Sequence, residues 1–339
     1  LKHAVDAGST GYTAALGLHA LREAIARHSA QVHGVDIDPA RVVVTAGASG
    51  ALLLACCALV NPGDQVLMAD PCYPCNRHFV SAFDGVPLTI PVGPETRFQL
   101  DASHVAAHWG PAVRGVLLAS PSNPTGTSIA PAEMAAIAEV VRAKGGVTIV
   151  DEIYLGLGYD DAFGASALAL GEDIVSVNSF SKYFSMTGWR LGWLVLPTEL
   201  VAPVERLAQN LYICPSTVAQ HAALACFEPE SLAEYEERRA AFKQRRDLVV
   251  PALNALGLTV PVMPDGAFYA WADASPLFGR LGVSNSSDFI LTLMREAHVV
   301  VTPSQDFGSA DGGRFVRFST ANSMADLQEA VARMKRLLA

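Results

Sequence analysis

The chain has 339 residues, of which 51% are hydrophobic and 17% charged, and its formal net charge is −9. This length and apolar content exclude a disordered chain and predict a large folded domain with a smaller one beside it. The acidic balance argues against nucleic acid or an anionic membrane as the main partner. No apolar run reaches the ~20 residues of a membrane span, and we expect a soluble protein.

The first residue and the cysteines bear on cellular location. The chain begins at Leu1 rather than at Met, so we expect that a further segment precedes it, and the lack of a signal peptide is weak evidence. Six cysteines in so long a chain do not indicate a disulfide framework. Cys56 and Cys57 lie in an apolar stretch and are interpreted as core residues. The cytoplasm is the expected compartment.

Short β-branched runs alternate with helical stretches through the first two hundred residues. This alternation predicts crossover connections and a mostly parallel, buried sheet flanked by helices, which is an α/β fold. The predicted strands are 42–45, 65–69, 87–92, 115–119, 147–151, 174–177 and 191–196, and the clearest predicted helices are 14–29, 51–60 and 131–143.

The pattern changes after about residue 200. A charged helix is predicted over 229–248, and a capping box at Ser323 and Asp326 marks the start of the last helix. We therefore expect a large domain over 10–245 and a smaller α+β domain over 246–339, with residues 1–9 packed near it. Between the two helices come the segment 267–273, a predicted helix over 287–297, and predicted strands over 298–302 and 314–319.

Lys182 is the first residue whose surroundings indicate chemistry. It lies in the run Ser179-Phe-Ser-Lys-Tyr-Phe-Ser-Met-Thr-Gly-Trp-Arg190, and its nearest charged neighbour in sequence is Arg190. A lysine on a solvated helix face would instead stand among other charges. Burial among aromatic groups would lower the pKa of this amine, which could then act as a nucleophile toward an aldehyde.

Three other segments place polar groups where predicted strands end. Asp151 ends a strand and Tyr154 follows it, and ligands bind at the carboxyl ends of strands in open α/β sheets. Asn123 lies in a Pro- and Gly-containing loop, where it either faces the crevice or only forms a turn. The segment Gly47-Ala-Ser-Gly50 joins a strand to a helix, so its amides are suited to a phosphate, although glycine-rich helix starts are common.

Together, the runs Asn123-Pro-Thr-Gly, Asp151-Glu-Ile-Tyr and Ser179-x-Ser-Lys-x-x-x-Met-Thr-Gly-Trp-Arg-Leu-Gly resemble the class I/II aminotransferases of the fold-type I pyridoxal-phosphate family. The resemblance runs in order from Gly11 to Leu337. It implies a pyridoxal 5′-phosphate cofactor, transfer of an amino group between an α-amino acid and a 2-oxo acid, and a homodimer.

The resemblance also implies roles for residues around the reacting atoms. Lys182 matches the lysine that forms a Schiff base with the cofactor and later shuttles a proton, and Asp151 matches the acid that pairs with the pyridine nitrogen. Tyr154 and Asn123 match the groups that bind the ring oxygen, and Asn123 also faces the substrate. Tyr73 falls where the family stacks an aromatic ring on the pyridine, although it could merely fill a core.

Further roles concern the two anionic groups. Arg317 matches the arginine that grips the substrate α-carboxylate, and Arg314 competes for this role, but residues three apart on a strand face opposite sides. A guanidinium is suited to bidentate carboxylate binding. The phosphate ligands implied by the resemblance are Ala48, Ser49, Ser179, Arg190 and, from the neighbouring subunit, Tyr12.

Two motifs suggest other chemistry. Cys72 and Cys75 form a C-x-x-C pair, which can signal a redox dithiol or half a zinc site, but the other cysteines lack the spacing of a second pair. His104 and His108 are four residues apart, a spacing that suits metal chelation on a helix, although surface histidines are commoner. We expect no metal.

Several alternatives remain open. The same lysine, aspartate and asparagine would serve a β-carbon–sulfur lyase or a decarboxylase, and a non-catalytic regulator with a DNA-binding domain before Leu1 is also formally possible. Family members carry several dozen residues ahead of the segment around Gly11, including an arm over the substrate. The amino acid and the 2-oxo acid do not follow from this sequence.

Overall fold

The computed structural model describes residues 2–338. Its α-helices are α1 (Lys2–Asp6), α2 (His19–His33), α3 (Gly47–Leu59), α4 (Pro74–Ser81), α5 (Ala102–Ala107), α6 (Pro131–Ala143), α7 (Thr198–Leu211), α8 (Thr217–Leu224), α9 (Pro229–Ala255), α10 (Phe278–Leu281), α11 (Ser286–Thr292) and α12 (Met324–Leu338). Its strands are β1 (Val42–Thr45), β2 (Gln65–Asp70), β3 (Val86–Pro91), β4 (Val113–Ala119), β5 (Val147–Asp151), β6 (Val175–Ser179), β7 (Gly192–Val195), β8 (Tyr269–Asp273), β9 (Thr302–Pro303) and β10 (Phe315–Ser319).

A mostly parallel sheet forms the centre of the larger part of the molecule. Within residues 2–338 it has seven strands in the order β1-β7-β6-β5-β4-β2-β3. Strand β7 runs opposite to the other six: it pairs antiparallel with β1 and β6, while β2 to β6 pair with one another in parallel. The prediction of a mostly parallel sheet flanked by helices is therefore confirmed.

Helix α3 packs against this sheet and begins earlier than expected. It starts at Gly47, not at residue 51, directly after β1, and Gly47 has a φ of 77° that turns the chain from strand into helix. Leu52, Leu54 and Cys56 are buried in the core beneath it. Cys56 is thus a core residue, as predicted, and the first amides of α3 lie at the carboxyl end of β1.

Helix α2 lies four to five residues later than predicted. Its buried residues include Leu21 and Ile25. The residues from 14 to 18 form a turn instead, and the N–H of Leu18 donates to Oε1 of Gln220 at 2.7 Å. Gly34 ends the helix in the left-handed conformation.

The smaller part of the chain contains a three-stranded antiparallel sheet in the order β8-β10-β9 among the described residues. The predicted strand 298–302 is wrong over most of its length, because only Thr302 and Pro303 pair with β10. His298 has a φ of 54°, which ends the preceding helical turn and is incompatible with a continuous strand. The capping box is present, since Oγ of Ser323 accepts from the N–H of Asp326 at 3.1 Å.

The domain boundary near residue 245 stays a prediction. Helix α9 runs through this position without interruption and links the two sheets. The core of the small sheet lies between α9, α11 and α12, where Leu253, Phe289 and Met334 are buried together. In the described part of the chain, no helix combines the length and the apolar character needed to cross a bilayer.

Candidate active site

A cavity of about 280 Å³ lies where β4, β5 and β6 end and where α3 begins. Of the eleven side chains predicted from the sequence to form a site, all except Tyr12 line it. The cavity is lined by Ala48, Ser49, Leu52, Tyr73, Ala119, Pro121, Asn123, Asp151, Ile153, Tyr154, Ser179, Ser181, Lys182, Thr187, Arg190, Tyr269 and Arg317. Segments far apart in sequence therefore converge as expected for the carboxyl edge of a parallel sheet.

Asp151 and Lys182 both line this cavity, the acid buried and the amine partly buried. Burial raises the pKa of Asp151 to about 7, although the N–H of Ile153 donates to its Oδ1 at 3.1 Å and favours the ionised form. Burial likewise lowers the pKa of Lys182, while the negative charge of Asp151 opposes that change. The lysine is desolvated in the way its sequence surroundings predicted, and its Nζ lies 5.4 Å from the ring centre of Tyr154.

Tyr154 and Asn123 line one side of the cavity and hydrogen-bond to Tyr269 and Arg317 of the small sheet, respectively. The hydroxyl of Tyr154 lies 2.8 Å from that of Tyr269. The pKa of the Tyr154 phenol lies well above its usual range, mainly because the group is buried. Nη1 of Arg317 donates to Oδ1 of Asn123 at 2.8 Å, which leaves Nδ2 of Asn123 as the donor of that amide.

The start of α3 and the segment after β6 form a positively charged pocket. The guanidinium of Arg190 donates from Nη1 to the carbonyl oxygen of Thr187 at 3.1 Å, beside the first residues of α3. A Cβ at Gly47 would lie 2.7 Å from Nη2 of Arg190, and a Cβ at Gly192 would lie 2.8 Å from the backbone nitrogen of Ala48. These glycines therefore allow a guanidinium and helix amides to approach the same small volume, which suits an anion.

The remaining predicted residues lie as follows. Tyr73 lines the cavity, where a hydrogen bond with Cys75 together with burial raises the pKa of its phenol to about 12. Tyr12 is 82% exposed and lies outside the cavity. Arg314 points away to Asp273, at 3.4 Å, so Arg317 is the arginine that faces the cavity.

The two motifs that suggested other chemistry lie in ordinary surroundings. Cys72 is buried, which raises the pKa of its thiol to about 12 and disfavours the reactive thiolate. Nδ1 of His104 contacts Asp101 at 2.8 Å, and Nδ1 of His108 lies 2.8 Å from a backbone carbonyl oxygen. Within residues 2–338, no group of three or more His, Cys, Asp or Glu side chains is placed to hold a metal ion.

Tyr269, Thr302 and Phe307 were missed by the sequence analysis. The guanidinium carbon of Arg317 lies 4.5 Å from the ring centre of Tyr269 and 4.7 Å from that of Phe307, while Nη2 donates to Thr302 at 3.2 Å. A tyrosine or threonine in a strand gives no sign of function, since both are common there. The pairing of β10 with β8 and β9 brings Tyr269 and Thr302 to Arg317, and Phe307 follows β9 after one further turn.

Comparison with known proteins gives the family. Residues 2–334 match the family described as Aminotransferase class I and II. The valine–pyruvate aminotransferase of Mycobacterium tuberculosis is 43% identical over 332 residues, which cover 98% of this chain and 84% of that protein. The aspartate aminotransferase of Sulfurisphaera tokodaii is 33% identical and covers 99% and 84%, respectively. A crystal structure of an aminotransferase from Mycobacterium tuberculosis has a TM-score of 0.95 at 42% identity and covers 99% of this chain and 86% of its own.

The chain therefore belongs to the class I and II aminotransferases. It is an enzyme, a transaminase that depends on pyridoxal phosphate, and the fold, activity and cofactor predicted from the sequence are confirmed. The cavity fits this cofactor by its donor set: helix amides and Arg190 for a phosphate, Asp151 for a protonated ring nitrogen and Lys182 for an aldehyde. In addition, Nε of Arg317 is buried without a partner, so this guanidinium retains capacity for a carboxylate.

Proposed function

We propose that the residues of the cavity divide the work of transamination as their positions suggest. The observation that carries this proposal is that Asp151 and Lys182 lie in one cavity together with Arg317. Bound pyridoxal phosphate supplies an electron-accepting ring that stabilises negative charge at the substrate Cα. Asp151 would pair with the protonated ring nitrogen, and Lys182 would bind the aldehyde and, once released, accept and return the proton of the substrate Cα.

Binding is assigned to the other residues around the cavity. The amides of Ala48 and Ser49, the hydroxyl of Ser179 and the guanidinium of Arg190 hold the phosphate. The remaining binding groups are Asn123 and Tyr154 at the ring oxygen, Tyr73 on the ring face, and Arg317 with Asn123 at the substrate carboxylate. Since the phosphate does not react, its contacts would hold the cofactor in the site throughout turnover.

Lys182→Ala tests this assignment directly. We expect the variant to bind pyridoxal phosphate without a covalent bond and to lose turnover by several orders of magnitude, because no other amine lines the described cavity. Borohydride reduction followed by mass spectrometry detects the covalent bond in the wild-type protein and its loss in the variant. A variant that keeps near-normal turnover contradicts the assignment.

We further propose that the amino donor is a neutral amino acid, and that the pair valine and pyruvate is the first to test. Among the described residues that line the cavity, the cations are Lys182, Arg190 and Arg317, and each already has a proposed role. None is left for a second carboxylate on the substrate side chain. The relative at 43% identity is named a valine–pyruvate aminotransferase, which supports the same class.

A panel of amino donors tests this proposal. The absorbance of the bound cofactor changes when the amino group is transferred, so a single half-reaction with each donor gives its rate without a chosen acceptor. We expect kcat/KM for valine or alanine to exceed that for aspartate and glutamate by more than about ten-fold, since an unpaired buried carboxylate is costly. An equal or higher value for aspartate overturns the proposal.

We propose a homodimer in which Tyr12 reaches the phosphate site of the neighbouring subunit. Tyr12 is exposed, yet its loop is held firmly: Oγ1 of Thr217 donates to the carbonyl oxygen of Gly11 at 2.7 Å, and Nε2 of Gln220 donates to Oγ1 of Thr13 at 3.1 Å. An ordered loop that presents a phenol to solvent is suited to a subunit contact.

Mixed dimers of two inactive or weakened chains test this role. A dimer of a Lys182→Ala chain with a Tyr12→Phe chain keeps Lys182 only in the second chain, so one of its two sites can bind the cofactor covalently. If Tyr12 acts across the interface, that site receives an intact tyrosine from the first chain and binds cofactor like the wild-type site. If Tyr12 acts within its own chain, the same site keeps the weakened affinity of the Tyr12→Phe homodimer, and the proposal fails.

We also propose a cytoplasmic location, supported by the six cysteines, all of which are free thiols. Fractionation of cells with an antibody to this chain tests it. Recovery of the chain mainly from an oxidising compartment overturns the proposal.

A further inference from the structure

Glu152 is a buried carboxyl group next to Asp151 for which the proposed mechanism has no use. It is 3% exposed and accepts three hydrogen bonds: from Oγ of Ser176 at 2.6 Å, from the N–H of Ala167 at 2.7 Å and from Oγ of Ser166 at 3.0 Å. Burying a carboxylate costs free energy unless such donors surround it. The complete set of donors around Glu152 therefore indicates that this carboxyl group has a structural role.

The position of Glu152 relates it to two residues of the active site. It follows the last residue of β5, and its own N–H donates to the carbonyl oxygen of Val177 on β6 at 2.9 Å. Its side chain lines a small second cavity with Ser166 and Asn178, and it does not line the active-site cavity, although Ile153 and Ser179 line both. Asp151 and Ser179 both line the active-site cavity.

The hydrogen bonds of Glu152 connect three segments of chain. Ser176 belongs to β6, three residues before Ser179, and its Oγ also accepts from Nδ2 of Asn178 at 2.8 Å. Ser166 and Ala167 belong to the turn that precedes β6. The carboxylate therefore fastens the end of β5 both to β6 and to this turn, at the level where β5 presents Asp151.

We propose that Glu152 is a positioning residue that fixes the separation of Asp151 and Ser179, and thereby the orientation of the cofactor between its ring nitrogen and its phosphate. This inference rests on the roles proposed above for those two residues. A ring held at both ends is sensitive to small changes in that separation, because misplacement by about 1 Å can cost a factor on the order of 100.

The hydrogen bonds of Glu152, and not its charge, are the feature that the site requires. A negative charge at Glu152 repels the negative charge of Asp151 and so raises the pKa of that acid. This effect works against the ionised Asp151 that the ring nitrogen needs. An uncharged side chain that keeps the hydrogen bonds should therefore serve almost as well.

Two substitutions separate these possibilities. In Glu152→Gln, the amide oxygen still accepts from the N–H of Ala167, and the amino group donates to the hydroxyls of Ser166 and Ser176, which rotate to accept. In Glu152→Ala all three hydrogen bonds are lost. Ser176→Ala removes one of them and leaves the carboxylate in place, so it also serves if Glu152→Ala does not fold.

The readouts are the dissociation constant of pyridoxal phosphate and the visible circular dichroism of the bound cofactor, which reports its fixed orientation. We expect Glu152→Ala to raise the dissociation constant about ten-fold and to reduce the dichroism. Ser176→Ala should raise the constant about three-fold, and Glu152→Gln should stay within about three-fold with its dichroism retained. Phe289→Leu, in the core of the small sheet, is the control for a general loss of stability.

The outcomes divide cleanly. The inference is overturned if Glu152→Ala, or Ser176→Ala in its place, keeps a dissociation constant within two-fold of wild type. It is also overturned if Glu152→Gln loses as much cofactor affinity and dichroism as Glu152→Ala. A loss of dichroism in Phe289→Leu equal to that in Glu152→Ala would overturn it as well. Asp151→Asn shows whether the proposed function itself is at fault. If Asp151→Asn leaves cofactor binding and dichroism unchanged, the proposed role of Asp151 is wrong. If Asp151→Asn changes them but the Glu152 variants leave them unchanged, the positioning inference alone is wrong.

Discussion

Arg317 and Asn123 are joined by a hydrogen bond of 2.8 Å that connects the small sheet to the loop after β4. They lie 194 residues apart in sequence. The contact orients the guanidinium, which also lies against the rings of Tyr269 and Phe307 and donates to Thr302. An arginine held in this way loses little conformational entropy when a carboxylate binds.

The first prediction concerns this planar group. Arg317→Lys keeps the charge but loses the fork and its contacts with Asn123 and the two rings. Since charge-assisted hydrogen bonds are worth about 1.5–3 kcal/mol, we expect kcat/KM for the amino donor to fall by about 10- to 100-fold. Steady-state kinetics with the best donor, together with the cofactor dissociation constant, checks this.

Arg314→Lys is the matched control. Arg314 lies three residues away, is exposed and pairs with Asp273 outside the cavity, so its substitution should change kcat/KM by less than about two-fold. If both variants lose activity equally, then the loss results from a disturbed β10 and not from a missing contact with the substrate carboxylate. If Arg317→Lys is fully active, the proposed carboxylate site is wrong.

The second prediction uses a glycine at the phosphate pocket. A Cβ at Gly192 would lie 2.7 Å from the carbonyl oxygen of Asn178 and 2.8 Å from the nitrogen of Ala48. Gly192→Ala therefore displaces the start of α3 from β7, and we expect it to weaken binding of pyridoxal phosphate by more than about ten-fold. Equilibrium titration followed by absorbance measures this constant.

Gly188→Ala and unphosphorylated pyridoxal provide the controls. Gly188 lies in the same segment, but no atom lies within 4 Å of the position that its Cβ would take. Its substitution should leave binding within about two-fold. Pyridoxal lacks the phosphate, so Gly192→Ala should weaken the binding of pyridoxal much less than the binding of pyridoxal phosphate. Equal losses for both ligands would show general damage to the site.

The sequence predicted the residues whose motifs combine several special positions. Lys182, Asp151 and Asn123 lie in three separate runs that place polar groups after predicted strands and that occur together in one order along the chain, and the structure brings all three to one cavity. Helix α6 was predicted with both ends correct, because Pro131 suits the first turn and a clear apolar stripe follows.

Other features depend on long-range contacts that leave no local pattern. Tyr269 and Thr302 face Arg317 only because two strands pair with β10, and Glu152 is informative only once its three donors are known. The apolar run at 298–302 has high strand propensity, but the left-handed backbone at His298 and the short pairing of β9 prevail over it.

The third prediction concerns stability without the cofactor. Burial raises the pKa of Asp151 to about 7, well above that of an aspartate in an unfolded chain. Between about pH 4 and pH 7 the folded protein keeps this proton while the unfolded chain has released it. The contribution of this group to the free energy of unfolding is therefore fully present below pH 4 and is lost as the pH rises through 7.

Asp151→Asn removes that loss, because an amide does not titrate. We expect the cofactor-free variant to exceed cofactor-free wild type in free energy of unfolding by roughly 2–4 kcal/mol at pH 8, with a smaller difference at pH 5. Denaturant unfolding of both proteins at the two pH values measures it. A difference that does not change with pH, or a variant less stable than wild type at pH 8, contradicts the prediction. With cofactor present the order should reverse, since the cost of ionising Asp151 is recovered only when a protonated ring nitrogen lies beside it.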